Sequence, residues 1–267
     1  MNCQDLERAS LPLLETAPGF RALPREALRL VAGGSYLRSV LRNQVIYEKG
    51  EALKGFFLLI SGRIKLAVLS REGAERVLDI VLPGQTFAES AAVLGRPYPL
   101  YAQALTDSQL LHVDLIRLRR AMELWPEVAF MMLTLIAERT QRLTEDLEAC
   151  CLHSAIQRVA SFLLREAESD QVDSDQATST LPAAKAVVAS SLNLSPETFS
   201  RELHGLARRG LIQVQRRFIH IPSMARLQAF ARVDAPWRET ARASHQGQRL
   251  MESNAHAQPA PFTTAAP

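Results

Sequence analysis

Residues 192–209 read Leu192-Asn193-Leu194-Ser195-Pro196-Glu197-Thr198-Phe199-Ser200-Arg201-Glu202-Leu203-His204-Gly205-Leu206-Ala207-Arg208-Arg209, and they decide the fold of the C-terminal third. Ser195 is a good N-cap, because its hydroxyl can accept from an orphan backbone N–H. Pro196 suits the first helical position, where its missing N–H is no loss. The pattern predicts a helix from Glu197 to Arg209. Phe199, Leu203 and Leu206 form its apolar face, while Glu197, Ser200, Arg201 and His204 share the opposite one. Just upstream, Ala184, Val187 and Val188 predict a shorter amphipathic helix. Leu192-Asn193-Leu194 between them is a tight turn, in which Asn193 takes the left-handed conformation more cheaply than most non-glycine residues.

Downstream, Leu211 to Ile221 (LIQVQRRFIHI) predicts a hairpin with Gln215-Arg216-Arg217 at its tip. Two helices with a tight turn and a following hairpin make a winged helix-turn-helix. A polar, arginine-bearing face on the first turns of the second helix suits base edges in the major groove, and the wing tip suits phosphates. The expected DNA contacts are Glu197, Ser200, Arg201, His204 and Ser195, with Arg216 and Arg217 on the wing. Charge agrees. Residues 183–232 hold eight basic side chains against two acidic, a local +6 in a chain of net +3, so the remainder sums to −3. Such asymmetry points to an anionic partner for this segment. It weighs against the alternative, a regulatory module that does not read DNA. An enzyme is disfavoured because no nucleophile elbow, phosphate loop, zinc-protease or dinucleotide fingerprint is present.

Working toward the N-terminus, residues 153–168 predict a helix with Ile156, Val159, Ala160, Leu163 and Leu164 on one face, and the polar run 169–180 predicts a loop. After Trp125-Pro126, a long helix shows 3-4-3-4 spacing at Leu133, Ile136, Thr140, Leu143, Leu147, Cys150 and Ser154, flanked by Glu138, Arg139, Arg142, Glu145 and Glu148. A narrow seam with charged flanks predicts a coiled-coil homodimer helix. Between about Tyr36 and Asp114 the period is that of strands: 45–47, 56–61, 64–69, 77–82, 102–106 and 109–114, separated by glycine turns. That is a compact antiparallel barrel. Residues 10–34 predict short helical pieces broken at Pro12, Pro18 and Pro24.

With 47% apolar and 22% charged residues in a chain of 267, disordered, collagenous and disulfide-scaffold classes are excluded. Cys3, Cys150 and Cys151 form no disulfide framework. Neither a signal peptide nor an apolar run of membrane-spanning length is present, so the expectation is a cytoplasmic protein with no membrane partner and reduced thiols. The expected division is residues 1–125 for N-terminal helices and barrel, 126–152 for the dimerisation helix, 153–232 for the winged helix-turn-helix, and 233–267 for a disordered tail.

This layout resembles the cyclic-AMP receptor protein / fumarate-nitrate reductase regulator (Crp/Fnr) family of bacterial transcription factors over about residues 20–225. The resemblance is carried by Phe57-Leu58-Leu59-Ile60-Ser61-Gly62 with Lys65, by Phe87-Ala88-Glu89, by the long helix, and by Ser195-Pro196-Glu197-Thr198-Phe199-Ser200-Arg201. It implies an α+β fold: a cyclic-nucleotide-binding-like β-roll (double-stranded β-helix), a dimerisation helix and a C-terminal winged helix-turn-helix. It also implies double-stranded DNA bearing an inverted repeat and RNA polymerase as partners, and activation as a role. Phe87-Ala88-Glu89, Ala102-Gln103-Ala104 and Pro196 to Arg201 further resemble the nitric-oxide-responsive dissimilatory nitrate respiration regulators.

Departures from the family pattern bear on the signal. Cyclic-nucleotide binders carry Phe-Gly-Glu and, about ten residues on, Arg-Ser, whose arginine pairs with the cyclic phosphate. Here the glycine is Ala88 and the later stretch reads Pro99-Leu100-Tyr101, which argues against cyclic AMP. A [4Fe-4S] cluster needs four thiolates, and only Cys3 precedes residue 150. Haem is the cofactor candidate implied by the resemblance. Its axial ligand would come from His112, His153, Cys3, Cys150 or a methionine such as Met131, and His112 and His153 are the candidates carried forward. A small molecule in the barrel, or a thiol switch at Cys150 and Cys151, remains open beside it.

Overall fold

Turns, several of them at glycine or proline, divide residues 36–114 into eight strands. The computed structural model of the chain describes residues 3–169 and 175–231. Helices α1 (Cys3–Thr16) and α2 (Arg25–Ala32) lead into β1 (Tyr36–Val40), β2 (Val45–Tyr47), β3 (Gly55–Ser61), β4 (Ile64–Leu69), β5 (Glu75–Val81) and β6 (Thr86–Phe87). A short α3 (Glu89–Leu94) precedes β7 (Tyr101–Ala104) and β8 (Ser108–Asp114), and α4 (Leu115–Leu124) and α5 (Pro126–Leu152) follow. The C-terminal unit comprises α6 (Ala155–Arg165), β9 (Ala167–Ser169), β10 (Ala177–Thr180), α7 (Lys185–Ser191), α8 (Pro196–Arg208), β11 (Gln213–Gln215), β12 (Phe218–Ile221) and α9 (Met224–Ala231). The expected tail, with Arg232, and residues 170–174 lie outside the described residues.

The eight strands form two antiparallel sheets, ordered β1-β8-β3-β6 and β2-β7-β4-β5, which close a β-roll. Phe57, Leu59, Leu66, Val81, Phe87, Ala102 and Leu110 fill its interior, where Tyr47 stacks on Tyr98 at 3.9 Å and Phe57 on Phe87 at 5.1 Å. Strand alternation sends Phe56, Leu58, Leu111 and Val113 to the other side of the first sheet. There they join Leu14, Phe20, Val31, Leu118, Val128 and Met132 in a second core that seats the N-terminal helices and the start of α5. The second sheet's outer face carries Ala67, Val77 and Tyr101, which pack against Val187 of α7. The roll and the C-terminal unit therefore meet directly, in addition to being linked by α5.

Four expectations need correction. Helix α1 runs through Pro12. Burial of Leu14 and of Ser10, whose hydroxyl donates to the Ser35 carbonyl at 2.9 Å, outweighs the hydrogen bond a proline removes. The predicted loop 169–180 contains strand residues at both ends, because β9 and β10 join β12 and β11 in one four-stranded sheet. Small polar residues hid the period: Ala177 and Ser179 are buried while Thr178 and Thr180 are half-buried. The long helix stops at Leu152 with His153 extended, so Ser154 leaves the seam and instead caps α6 through a capping box with Gln157. Arg139 is no solvated flank. Its guanidinium reaches back to Asp79 of β5 at 2.9 Å and lies 3.8 Å from the buried Glu89.

Candidate nucleic-acid interface

Helix α8 starts where the sequence places it. Ser195 has extended backbone and its hydroxyl accepts from the Thr198 N–H at 3.1 Å, with Pro196 in the first turn. The turn before it has Asn193 at φ +56°, the left-handed conformation expected. Phe199, Leu203 and Leu206 are buried with Val159, Ala160 and Leu163 of α6 and Val188 of α7. Gly205 lets α6 approach closely, since a Cβ there would stand 3.2 Å from the Ile156 Cδ1.

The opposite face of α8 is open to solvent. Glu197, Arg201 and His204 are exposed and Ser200 half-buried. Glu197's own backbone N–H, then the Ser195 hydroxyl, hold its carboxyl below the usual carboxylate range. It is thus an ionised acceptor at neutral pH. Arg201 is two-thirds exposed and pairs with its neighbour Glu202 at 3.1 Å, a surface pair worth little and easily exchanged for a base edge. The Ser200 carbonyl accepts from His204 Nδ1 at 2.8 Å, leaving Nε2 as the acceptor of the neutral ring.

Beside this face, β11 and β12 form the wing, with Arg216-Arg217 as its two-residue turn. Arg216 adopts φ +58° and the Arg217 guanidinium lies over the Phe218 ring at 5.6 Å. Both arginines are exposed. All seven expected DNA-contact residues therefore belong to the second helix, its N-cap or the wing. Arg209 points elsewhere, donating to the Gly205 carbonyl at 3.0 Å.

Along α5, Leu133 is 63% and Leu147 64% exposed, with Leu143, Thr140 and Cys150 also exposed and Ile136 half-buried. The seam residues thus form a largely apolar stripe without a partner among the described residues. Helix α5 also reaches α6, where Arg165 pairs with Asp146 at 2.9 Å. Reading the sequence missed Arg158 of α6. Its Nη1 donates to the Leu192 carbonyl at 3.0 Å and lies 4.0 Å from the Cys150 Sγ. Nothing in the spacing of α6 distinguishes it from a solvated arginine.

The two cofactor candidates are not brought together. His112 lies in the roll, 5% exposed, stacked on Tyr36 at 4.6 Å and edge-on to Phe57. Burial lowers its pKa, so it is neutral at pH 7, and neither ring nitrogen has a partner among the described residues. Nε2 faces Gly55 so closely that a Cβ there would stand 2.6 Å away. A haem plane does not fit against that nitrogen as the strand is built. His153 sits at the C-cap of α5 with Nδ1 buried and unpartnered. Met131 is buried in the helical core. Among the described residues no group of three or more His, Cys, Asp and Glu is gathered as for a metal ion.

Fold and interface together define a class of protein: a DNA-binding transcription regulator in which a long helix links a β-roll to a winged helix-turn-helix. Residues 37–124 match the cyclic nucleotide-binding domain family and residues 157–230 the Crp-like helix-turn-helix domain family, together more than half of the chain. The chain belongs to the Crp/Fnr family of regulators. It is 24% identical over 191 residues to an anaerobic regulatory protein of Pasteurella multocida, covering 71% of this chain and 70% of that one. To a CRP-like cAMP-activated global transcriptional regulator of Mycobacterium tuberculosis it is 26% identical over 192 residues, 72% and 86% of the two chains. The structure of FixK2 from Bradyrhizobium japonicum superposes with a TM-score of 0.67, at 24% identity, over 75% of this chain and 99% of that one. These are domains and relatives of transcription regulators, not enzymes. No described helix is long and apolar enough to cross a membrane.

Proposed function

We propose that the chain acts in the cytoplasm as a homodimer joined along α5, reads an inverted repeat close to TTGAT-N4-ATCAA, and answers nitric oxide or redox state. In this reading it is an activator that contacts RNA polymerase. One observation carries the DNA assignment: a capped helix with an exposed face of Glu197, Ser200 and Arg201 is followed by a hairpin whose turn is two exposed arginines. The apolar stripe of α5 supports the dimer, whose two copies would present their α8 helices to half-sites about one helical turn apart.

For the signal, the relatives' names point two ways, to anaerobic regulation and to cyclic AMP. The residues favour the first. The stretch Pro99-Leu100-Tyr101 offers a cyclic phosphate no arginine, and Tyr101 faces α7 outside the roll, hydrogen-bonded to Glu75. Arg139 is already engaged by Asp79 and Glu89. Since His112 offers haem no prepared ligand, the redox arm falls on the exposed thiols Cys150 and Cys151. The nitric-oxide arm rests on resemblance.

Sedimentation equilibrium and duplex titrations test the proposal together. The account expects a dimer whose affinity for the inverted repeat changes with a nitric-oxide donor or an oxidant by a coupling of about 1–3 kcal/mol. Millimolar cyclic AMP should leave it unchanged. An absorption spectrum of the purified protein, with and without added haem, reports whether a Soret band shifts with nitric oxide. A strong cyclic-AMP response would contradict the reading of Leu100-Tyr101.

A further inference from the structure

We propose that Arg158 is a positioning residue for DNA reading: it sets the turn between α7 and α8 and ties that turn to the end of α5. The proposal rests on the DNA-reading function above. One nitrogen, Nη1, lies 3.0 Å from the Leu192 carbonyl, 3.5 Å from the Asn193 carbonyl and 4.0 Å from Cys150 Sγ. Leu192 is the C-cap of α7 and Asn193 is the left-handed residue of the turn. Carbonyls at a helix C-terminus lack intrahelical donors and carry the negative end of the dipole. A guanidinium satisfies both needs at once.

Two residues after Asn193 comes Ser195, the N-cap of α8. A small rotation at the turn therefore swings Glu197, Ser200 and Arg201 as a unit. Arg158 supports the turn from α6, which also contacts the middle of α8 through Ile156 and Gly205. Its backbone N–H donates to the Ser154 carbonyl, one residue beyond the extended His153 that ends α5. Beside the packing of α6 on α8, one direct link from the last turn of α5 to the turn before the recognition helix thus runs through the Arg158 side chain. The Arg158 Nε is buried without a partner among the described residues. Its side chain leaves that donor unpaired while Nη1 stays on the turn, the arrangement expected of a brace rather than of a side chain placed for its own hydration.

The test uses full-length Arg158→Ala and Arg158→Lys proteins, a TTGAT-N4-ATCAA duplex and a scrambled duplex of equal composition. Arg158→Ala should lose about tenfold or more in affinity for the inverted repeat, the effect of roughly 1.4 kcal/mol. Binding to the scrambled duplex should stay within about twofold, because the wing and phosphate contacts remain. Arg158→Lys, which restores a cationic donor, should recover part of the loss. Amide hydrogen exchange without DNA should rise at Asn193 and Leu194, whose N–H groups bond Ser190 and Ala189, and stay unchanged at Phe199 and Leu203.

Full discrimination in Arg158→Ala overturns the proposal, as does unchanged exchange at the turn. Parallel loss of both duplexes with a falling melting temperature also overturns it, showing a residue needed only for folding. If Arg158→Ala does not fold, Arg158→Lys decides: wild-type discrimination and exchange support a cationic brace, and wild-type exchange with lost discrimination contradicts it. A wild-type protein that binds the two duplexes equally refutes the DNA-reading function instead, and the exchange experiment still judges the brace.

Discussion

The Val77 N–H in the β-roll donates to the Ser190 hydroxyl in α7 at 3.0 Å, joining residues 113 positions apart. Around this bond, Ala67, Val77 and Tyr101 meet Val187. The opposite face of the same sheet lines the roll interior with Leu66, Val81 and Ala102. A single sheet therefore separates the interior of the roll from the helix that backs α8. Ser190→Ala should leave the Val77 N–H unsatisfied and cost about 1–2 kcal/mol of stability. Urea denaturation of wild type and variant measures this; equal midpoints would mean that the two units are not docked in solution.

Ala88 sits at φ +68° and Asn193 at φ +56°, conformations in which a Cβ meets the following carbonyl. Ala88→Gly should stabilise the protein by about 0.5–1 kcal/mol, the left-handed penalty removed less the extra entropy of glycine. Asn193→Ala should destabilise by about 1 kcal/mol, since alanine lacks the local hydrogen bonding that makes asparagine tolerant there. Thermal unfolding of the two variants compares the signs directly.

Much of this was legible in the sequence because the signals are local. The residue before Pro126 is extended and the helix begins at the proline, as the proline rule requires. Ile64–Leu69 is a strand with the bounds its pattern predicts. The face of α8 follows from 3.6-residue spacing and one N-cap. What stayed hidden depends on partners distant in sequence. Tyr36–Val40 is a strand because β8 pairs with it, although its residues are largely exposed. Thr86–Phe87 is too short to show a period. Arg139 and Arg158 look like solvated charges until the fold brings Asp79 to one and the α7–α8 turn to the other.

His112 links stability to pH. Burial holds its folded-state pKa below the ordinary 6.5, so the unfolded chain takes up a proton where the folded chain resists. Protons then favour unfolding, and stability falls as the pH drops below about 6.5, down to the folded-state value. His112→Phe should flatten the stability–pH curve over that window. A slope between pH 7 and 5 identical to wild type would show that the ring takes up its proton as readily in the folded chain as in the unfolded one.

Cys150 lies on the α5 stripe, so in the proposed parallel coiled coil its two copies would face each other. Mild oxidation should cross-link the dimer. Cys150→Ser should abolish most of the cross-linked product, and Cys151→Ser should retain it. Leu147→Asp should dissociate the dimer. Non-reducing gels and sedimentation read these outcomes, and equal cross-linking by both cysteine variants would break the register.

DNA reading by the α8 face is the central claim, and binding-site selection from random duplexes tests it most directly. The resemblance to the Crp/Fnr family implies that Glu197, Ser200 and Arg201 match the residues with which its oxygen-sensing members read a TTGAT half-site; arginine can pair with guanine through two hydrogen bonds and glutamate can accept from cytosine. The wild-type protein should enrich an inverted repeat close to TTGAT-N4-ATCAA. Arg201→Ala should cost about 1–3 kcal/mol per half-site and relax the preference at the G·C pair. Arg217→Ala, on the wing, should weaken all duplexes alike and make the salt dependence shallower. Enrichment of an unrelated sequence by the wild-type protein, or undiminished selectivity in Arg201→Ala, would contradict the account.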